Sequence, residues 1–124
     1  MSAIKDGVMP VIYIAGKYRD VNSWQVEENA RRAERIALDV AMSGFVPLCP
    51  HAMYRHYDGT MSDQFWIDAT MALMRRCDAV VIAGSDWLTS EGTRGEIAEA
   101  ERLGISVYYS VEQLIHGALA QGWI

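Results

Sequence analysis

Residues 9–15 form a run of apolar and β-branched side chains ended by Gly16, which reads as a buried first strand. The period then changes. Val26, Ala33, Ile36, Ala37 and Val40 recur at threes and fours, and Glu27–Arg31 and Glu28–Arg32 add charge pairs one turn apart. This pattern predicts a long amphipathic helix over about residues 22–43, closed by Gly44. Residues 45–48 predict a brief second strand, and Pro47 places it at a sheet edge because proline cannot donate to a ladder. Residues 49–61, rich in His, Tyr and Gly, read as a loop. Ser62 can cap a helix running to about Arg76, and residues 79–83 give the clearest buried strand. After a loop at 84–87, a helix is predicted from about Gly92 to Leu103, then a strand at 105–109 and a last helix at 111–120.

Strand and helix alternate throughout, which predicts a single α/β domain over residues 1–124. The expected architecture is a Rossmann- or flavodoxin-like three-layer sandwich around a parallel sheet of four or five strands. In such sheets the ligand sits beyond the carboxyl ends of the strands, where strand order reverses. The loops at residues 16–22, 49–61 and 84–92 are therefore the segments to read for chemistry.

Composition narrows the ligand. The 124-residue chain is 51% hydrophobic with a formal net charge of −5, and its charges alternate in sign, so there is no basic stripe to neutralise a nucleic-acid backbone. A small anion needs only two or three local cations, and a mononucleotide stays open. The first residues lack the basic segment and apolar run of a secretory signal, and no apolar stretch reaches membrane-spanning length. A cytoplasmic protein with no membrane partner is expected. Cys49 and Cys77 lack CxxC spacing and are expected as buried free thiols. An apolar composition and an exposed Trp123–Ile124 end suggest a homodimer.

The segment Ser90-Glu91-Gly92-Thr93-Arg94-Gly95-Glu96 puts a hydroxyl, two glycines and free amides at a helix N-terminus, which suits either an anion or an ordinary capped helix. Glu96 lies about one turn inside, where the helix dipole favours its ionised form. Lys17 and Arg19 follow the first strand and either reach the same anion or sit solvated. Tyr13 points into the core or up to the crevice. His51 is a sugar or base contact or a plain loop histidine, and with His56 and Cys49 it has no second cluster to make a metal site. Of the four tryptophans, Trp24, Trp66 and Trp123 read as core or interface residues, and Trp87 in the third loop as the one placed to meet a ligand.

Taken in order, Tyr13-Ile14-Ala15-Gly16 with Arg19, residues 47–51, Cys77-Asp78-Ala79-Val80-Val81, and Trp87 with Ser90-x-Gly92 and Glu96 resemble the nucleoside 2-deoxyribosyltransferase superfamily. The resemblance covers roughly residues 10–110 and is nearest to the superfamily's nucleotide N-hydrolase branch and to small uncharacterised bacterial and phage relatives. It implies that Glu96 is a nucleophile that attacks the anomeric carbon, with Tyr13 positioning it. It also implies that Ser90 and Arg19 contact a 5′-phosphate, with Lys17 nearby, and that no cofactor is needed. One position departs from the family: an aspartate usually stands eight residues before the position of Asp78, and here that residue is Thr70. On an ideal helix Asp68, the nearest acid, lies roughly 160° away from Thr70 and replaces the missing carboxylate only if the helix starts late or is distorted.

The expected function is thus an N-glycosidase, hydrolase or deoxyribosyltransferase, acting on a (deoxy)nucleoside 5′-monophosphate. Its catalytic set is Glu96, Tyr13 and Asp68, and Gly16, Lys17, Arg19, His51, Trp87, Ser90 and Gly92 hold the substrate. The alternative is a non-catalytic nucleotide-binding or sensing module of the same fold.

Overall fold

The structure is a computed structural model that describes residues 2–124. Its elements are β1 (Val11–Ala15), α1 (Ser23–Met42), β2 (Val46–Leu48), α2 (Pro50–Met53), α3 (Asp63–Met74), β3 (Ala79–Ile82), a 3-10 turn (Trp87–Thr89), α4 (Glu91–Arg102), β4 (Ser106–Tyr108) and α5 (Val111–Ala120). The four strands pair in parallel in the order β2-β1-β3-β4.

Alternation along each strand divides the core in two. Ile12 and Ile14 of β1 and Ala79 and Val81 of β3 face α1 and α5, where they meet Ala33, Val40, Leu114 and Ala118. Tyr13, Ala15, Val80 and Ile82 face α3 and α4, against Met74, Ile97 and Ala100. Three layers follow from that split, as expected from the alternation of elements. The chain steps from β1 outward to β2 and then returns past β1 to β3, so the order reverses between β1 and β3 and opens a crevice there.

Most boundaries agree with the apolar pattern. Asn22, Ser62 and Ser110 cap α1, α3 and α5, each accepting from a backbone amide three residues on. Two of the differences have a local cause. Residues 50–53 form a helical turn instead of loop, because Pro50 has its φ preset for a first helical position and no amide to leave unpaired there. α4 starts at Glu91, one residue before the expected Gly92, because Ser90 is its cap. Pro47 lies on an edge strand, and Val46 donates inward to the Pro10 carbonyl at 3.1 Å.

At the amino edge of the sheet Asp78 joins three segments. It accepts from the Val11 amide at 2.8 Å and from Lys5 Nζ at 2.7 Å, and Lys5 also lies over the Trp123 ring. Trp123 is buried, with Ile4 donating to its carbonyl at 2.8 Å, whereas Ile124 is exposed, so the expected exposed end holds for Ile124 and is corrected for Trp123, whose indole completes the core under α1 and α5. Cys49 and Cys77 are buried free thiols, the latter pushed up to about 12 by burial. Among the described residues no helix is long and apolar enough to cross a membrane.

Gly84, at the carboxyl end of β3, has φ +91, and a Cβ there would lie 2.6 Å from Arg32 Cζ. Arg32 reaches past it to Asp86 at 2.9 Å. Gly84→Ala must therefore adopt a left-handed backbone and displace the guanidinium, whereas Gly59→Ala, at φ +81 with nothing within 4 Å, meets only the backbone term of about 1–2 kcal/mol. Urea unfolding should show Gly84→Ala to be the more destabilised, and equal losses would mean that Arg32 yields freely.

Candidate functional site

Four segments converge at the crevice: the turn after β1, residues 50–58, α3, and the N-terminal turns of α4. Together they enclose a cleft of about 750 Å³, within the usual range for a small-molecule site.

Tyr13 and Glu96 form its floor. Tyr13 faces α3 and α4 because it alternates with Ile12 and Ile14, and its hydroxyl donates to Glu96 Oε2. Burial holds the phenol protonated well above its ordinary range, with the Glu96 carboxyl adding to the effect. Burial also pushes Glu96 up to about 7, and the bond from Tyr13 only partly opposes it. The dipole alone would favour the ionised form; at about 7 Glu96 is instead divided between its two forms near neutrality, because burial opposes ionisation and the two cations near the cleft pair with other acids. Lys17 Nζ lies 3.6 Å from Asp20, and Arg19 donates to Asp63 at 2.6 Å.

Ser90 Oγ accepts from the Thr93 amide at 3.2 Å and lies 2.8 Å from Thr93 Oγ1. Two hydroxyls sharing one bond leave one O–H free, so the pair can still donate into the cleft while capping α4. Gly92 and Gly95 line the cleft, and a Cβ at either would meet nothing within 4 Å, so a ligand can approach this backbone closely. Gly16 also lines the cleft, packed so closely on Ala83 that a Cβ would lie 2.9 Å from its carbonyl oxygen.

His51, on α2, is buried and lines the cleft. Its Nε2 lies 3.3 Å from the Lys17 carbonyl, an oxygen that can only accept, so Nε2 carries the proton and Nδ1 keeps a lone pair. Burial holds the ring below its ordinary pKa, and Nδ1 is a buried atom without a hydrogen-bond partner.

Two expected site residues lie elsewhere. α3 is regular from Asp63, so Asp68 points to solvent, where it accepts from Gln64 at 2.8 Å, while Thr70 faces the cleft beside Tyr13. Asp68 therefore does not supply a carboxylate in place of Thr70. Trp87 packs on Tyr109 at 5.4 Å and on the core between sheet and α4, because the 3-10 turn directs its indole toward β4 and leaves Thr89 and Ser90 at the cleft. Conversely, Trp66 and Tyr54, ring centroids 4.8 Å apart, form an aromatic wall that the reading of the tryptophans did not single out. Tyr57 and Phe65 extend it outward. The tyrosines of residues 54–57 are the one signal in the sequence; only the fold of the loop onto α3 joins them to Trp66. Among the described residues no three His, Cys, Asp or Glu side chains are grouped to hold a metal.

The profile of a domain of unknown function, DUF7768, matches residues 10–110, and the chain belongs to that family. No curated protein matches the chain.

A carboxyl raised from 4.5 to about 7 binds its proton more tightly in the folded than in the unfolded chain. Its ionisation therefore removes stability as pH rises from 4.5 to about 7, by on the order of 3 kcal/mol. Glu96→Gln, which keeps an acceptor for Tyr13, should match the wild type below pH 4.5 and exceed it in stability above pH 7. Denaturant midpoints on both sides of that window check this, and a constant difference at all pH values would place the carboxyl in water.

Proposed function

We propose that the chain is an N-glycosidase, hydrolase or deoxyribosyltransferase, which cleaves the base–sugar bond of a (deoxy)nucleoside 5′-monophosphate through Glu96. The observation that carries the reading is a single carboxyl on the floor of the cleft, held by the Tyr13 hydroxyl alone. The resemblance to the deoxyribosyltransferase superfamily supports it.

Tyr13 occupies Oε2, so Oε1 is the oxygen free to attack. Its electron pair forms a bond to the anomeric carbon as the glycosidic bond breaks, that pair leaves with the base, and the base takes a proton from water. In the ester Oε2 becomes the carbonyl oxygen and still accepts from Tyr13. Water or a second base then attacks the anomeric carbon, the ester C–O bond breaks with its pair returning to Glu96, and the attacking group gives its proton to solvent. The Trp66–Tyr54 wall offers a face for the base. Arg19 is the cation best placed for the phosphate: it and Asp63 are both largely exposed, and an exposed pair is worth about 0–1 kcal/mol, so a phosphate can displace the aspartate.

Thr70 favours a second reading, a nucleotide-binding module without turnover, since it leaves the departing base no carboxylic acid from α3.

Single-turnover base release from a panel of monophosphates, with binding measured alongside, separates the two. Wild type should release base at a rate that rises through about pH 7 as Glu96 ionises, and Glu96→Gln should bind but not release. Arg19→Ala should weaken monophosphates by roughly tenfold or more and spare the matching nucleosides. Release unchanged in Glu96→Gln removes the covalent route, and binding with no release by wild type establishes the module.

Thr70→Asp restores a carboxyl over the reacting centre and should accelerate base release by about 10²–10⁴-fold. A slower variant that still binds would show that the departing base lies away from α3.

A further inference from the structure

Trp66, Thr70 and Met74 follow one another at intervals of four along α3, so they share one face of the helix. Met74 packs in the same core cluster as Tyr13, and Trp66 stands in the cleft wall. Thr70, half-buried between them, therefore lies over the Tyr13 hydroxyl on the cleft floor. Valine would fill this place with the same shape and bring no polar group to satisfy, so the hydroxyl calls for a partner.

Its one hydrogen has two acceptors within reach. The first is the Ile67 carbonyl, 3.2 Å away and a turn back, which already serves the Met71 amide in the regular helix. The second is the Tyr13 oxygen. Tyr13 commits its only hydrogen to Glu96, so its oxygen can enter a second bond only as an acceptor. Burial raises the proton affinity of the phenol, the Glu96 carboxyl adds to that, and a hydrogen bond with Thr70 opposes both. A hydroxyl can turn from one acceptor to the other without moving a heavy atom. The remaining titratable groups nearby are Cys77, beside Tyr13, the paired Lys17 and Arg19, and His51, Asp58 and Glu91 at the cleft wall. Burial and the Tyr13 bond, rather than these, set the proton affinity of Glu96.

We propose that Thr70 is a positioning residue that acts on Glu96 through Tyr13. When Glu96 ionises, the Thr70 hydroxyl turns from the Ile67 carbonyl to the Tyr13 oxygen, and a chain is completed in which Thr70 donates to Tyr13 and Tyr13 donates to Oε2. Each donor in such a chain polarises the next, so the bond to the carboxylate strengthens as the negative charge forms and relaxes as it is lost. Thr70 thereby eases the ionisation that burial opposes and steadies Oε2 while Oε1 stays free. Its bearing on turnover rests on the reaction proposed above, where the chain favours the carboxylate before attack and again when the ester pair returns to Glu96. The chain itself needs no substrate.

Carbon-13 NMR of the full chain, labelled at the glutamate side-chain carboxyls, reads the ionisation of Glu96, and Glu96→Gln identifies its signal by removing it. Wild type should titrate at about 7. Thr70→Val keeps the side-chain shape without the hydroxyl and should raise the midpoint by about 0.5–1 in pH, the contribution of one hydrogen bond. Thr70→Ala should do the same, and Thr70→Ser, which keeps the hydroxyl, should hold the wild-type value. In Tyr13→Phe the chain is already cut, so adding Thr70→Val should change nothing further. Circular dichroism checks that each variant is folded. An unmoved midpoint in both Thr70→Val and Thr70→Ala, or a serine variant shifted as far as the valine one, would overturn the proposal. So would an equal shift in the Tyr13→Phe background, which would mean that Thr70 acts on Glu96 without Tyr13. No substrate is present in these titrations, so a failure of the chain and a failure of the reaction are read separately.

Discussion

A carboxyl group enclosed by protein and met by one phenol is poorly placed to be an anion, and the architecture around Glu96 is arranged about that constraint. Tyr13 must leave β1 on the α3/α4 side, which requires the strict alternation that sends Ile12 and Ile14 the other way. α4 must begin at Ser90, because the cap fixes the rotation of the helix and so the direction of Glu96 six residues later. The bond between them joins the central strand to its covering helix at the point where strand order reverses. The cleft is therefore anchored in the core.

The two ends of the sheet carry different burdens. At the amino edge Asp78 gathers Lys5, Val11 and, through Lys5, Trp123 into one tie among backbone, ion pair and ring. Asp78 lies in one of the sequence motifs that carry the family resemblance, yet its bonds hold strands together at the end away from the cleft. At the carboxyl edge the polar groups are left incompletely satisfied: His51 Nδ1 and Trp66 Nε1 have no partner. The polar groups of the amino edge are bonded, and those beside the cleft keep unmet bonding capacity that a ligand can take up.

Much of this was legible in the chain. Runs of apolar and β-branched residues located every strand, apolar positions at threes and fours located the long first helix, and Ser62, read as a cap, is one. Pro47 marked an edge, and the glycines of α4 marked the backbone a ligand can approach. The geometry of an ideal helix also separated Asp68 from Thr70, as the structure does. What the chain did not disclose was decided by the third dimension. The ionisation of Glu96 depends on how much of its carboxyl the neighbouring layers cover, and Lys17 and Arg19 on which acids lie in reach after folding. Trp87 and Trp66 exchanged roles because a 3-10 turn aims one indole at β4 while residues 54–57 fold back onto the other. No period in the sequence encodes either event.

The short outer strand β2 has a further consequence for how molecules of this chain can meet. Its first residue donates inward, so the next backbone nitrogen, that of Pro47, faces the open side, and it carries no hydrogen. A three-residue edge whose central donor is missing offers almost nothing for another strand to zip onto. Continuous sheets and the fibres they seed are closed off along this side, leaving the contacts between molecules to side chains.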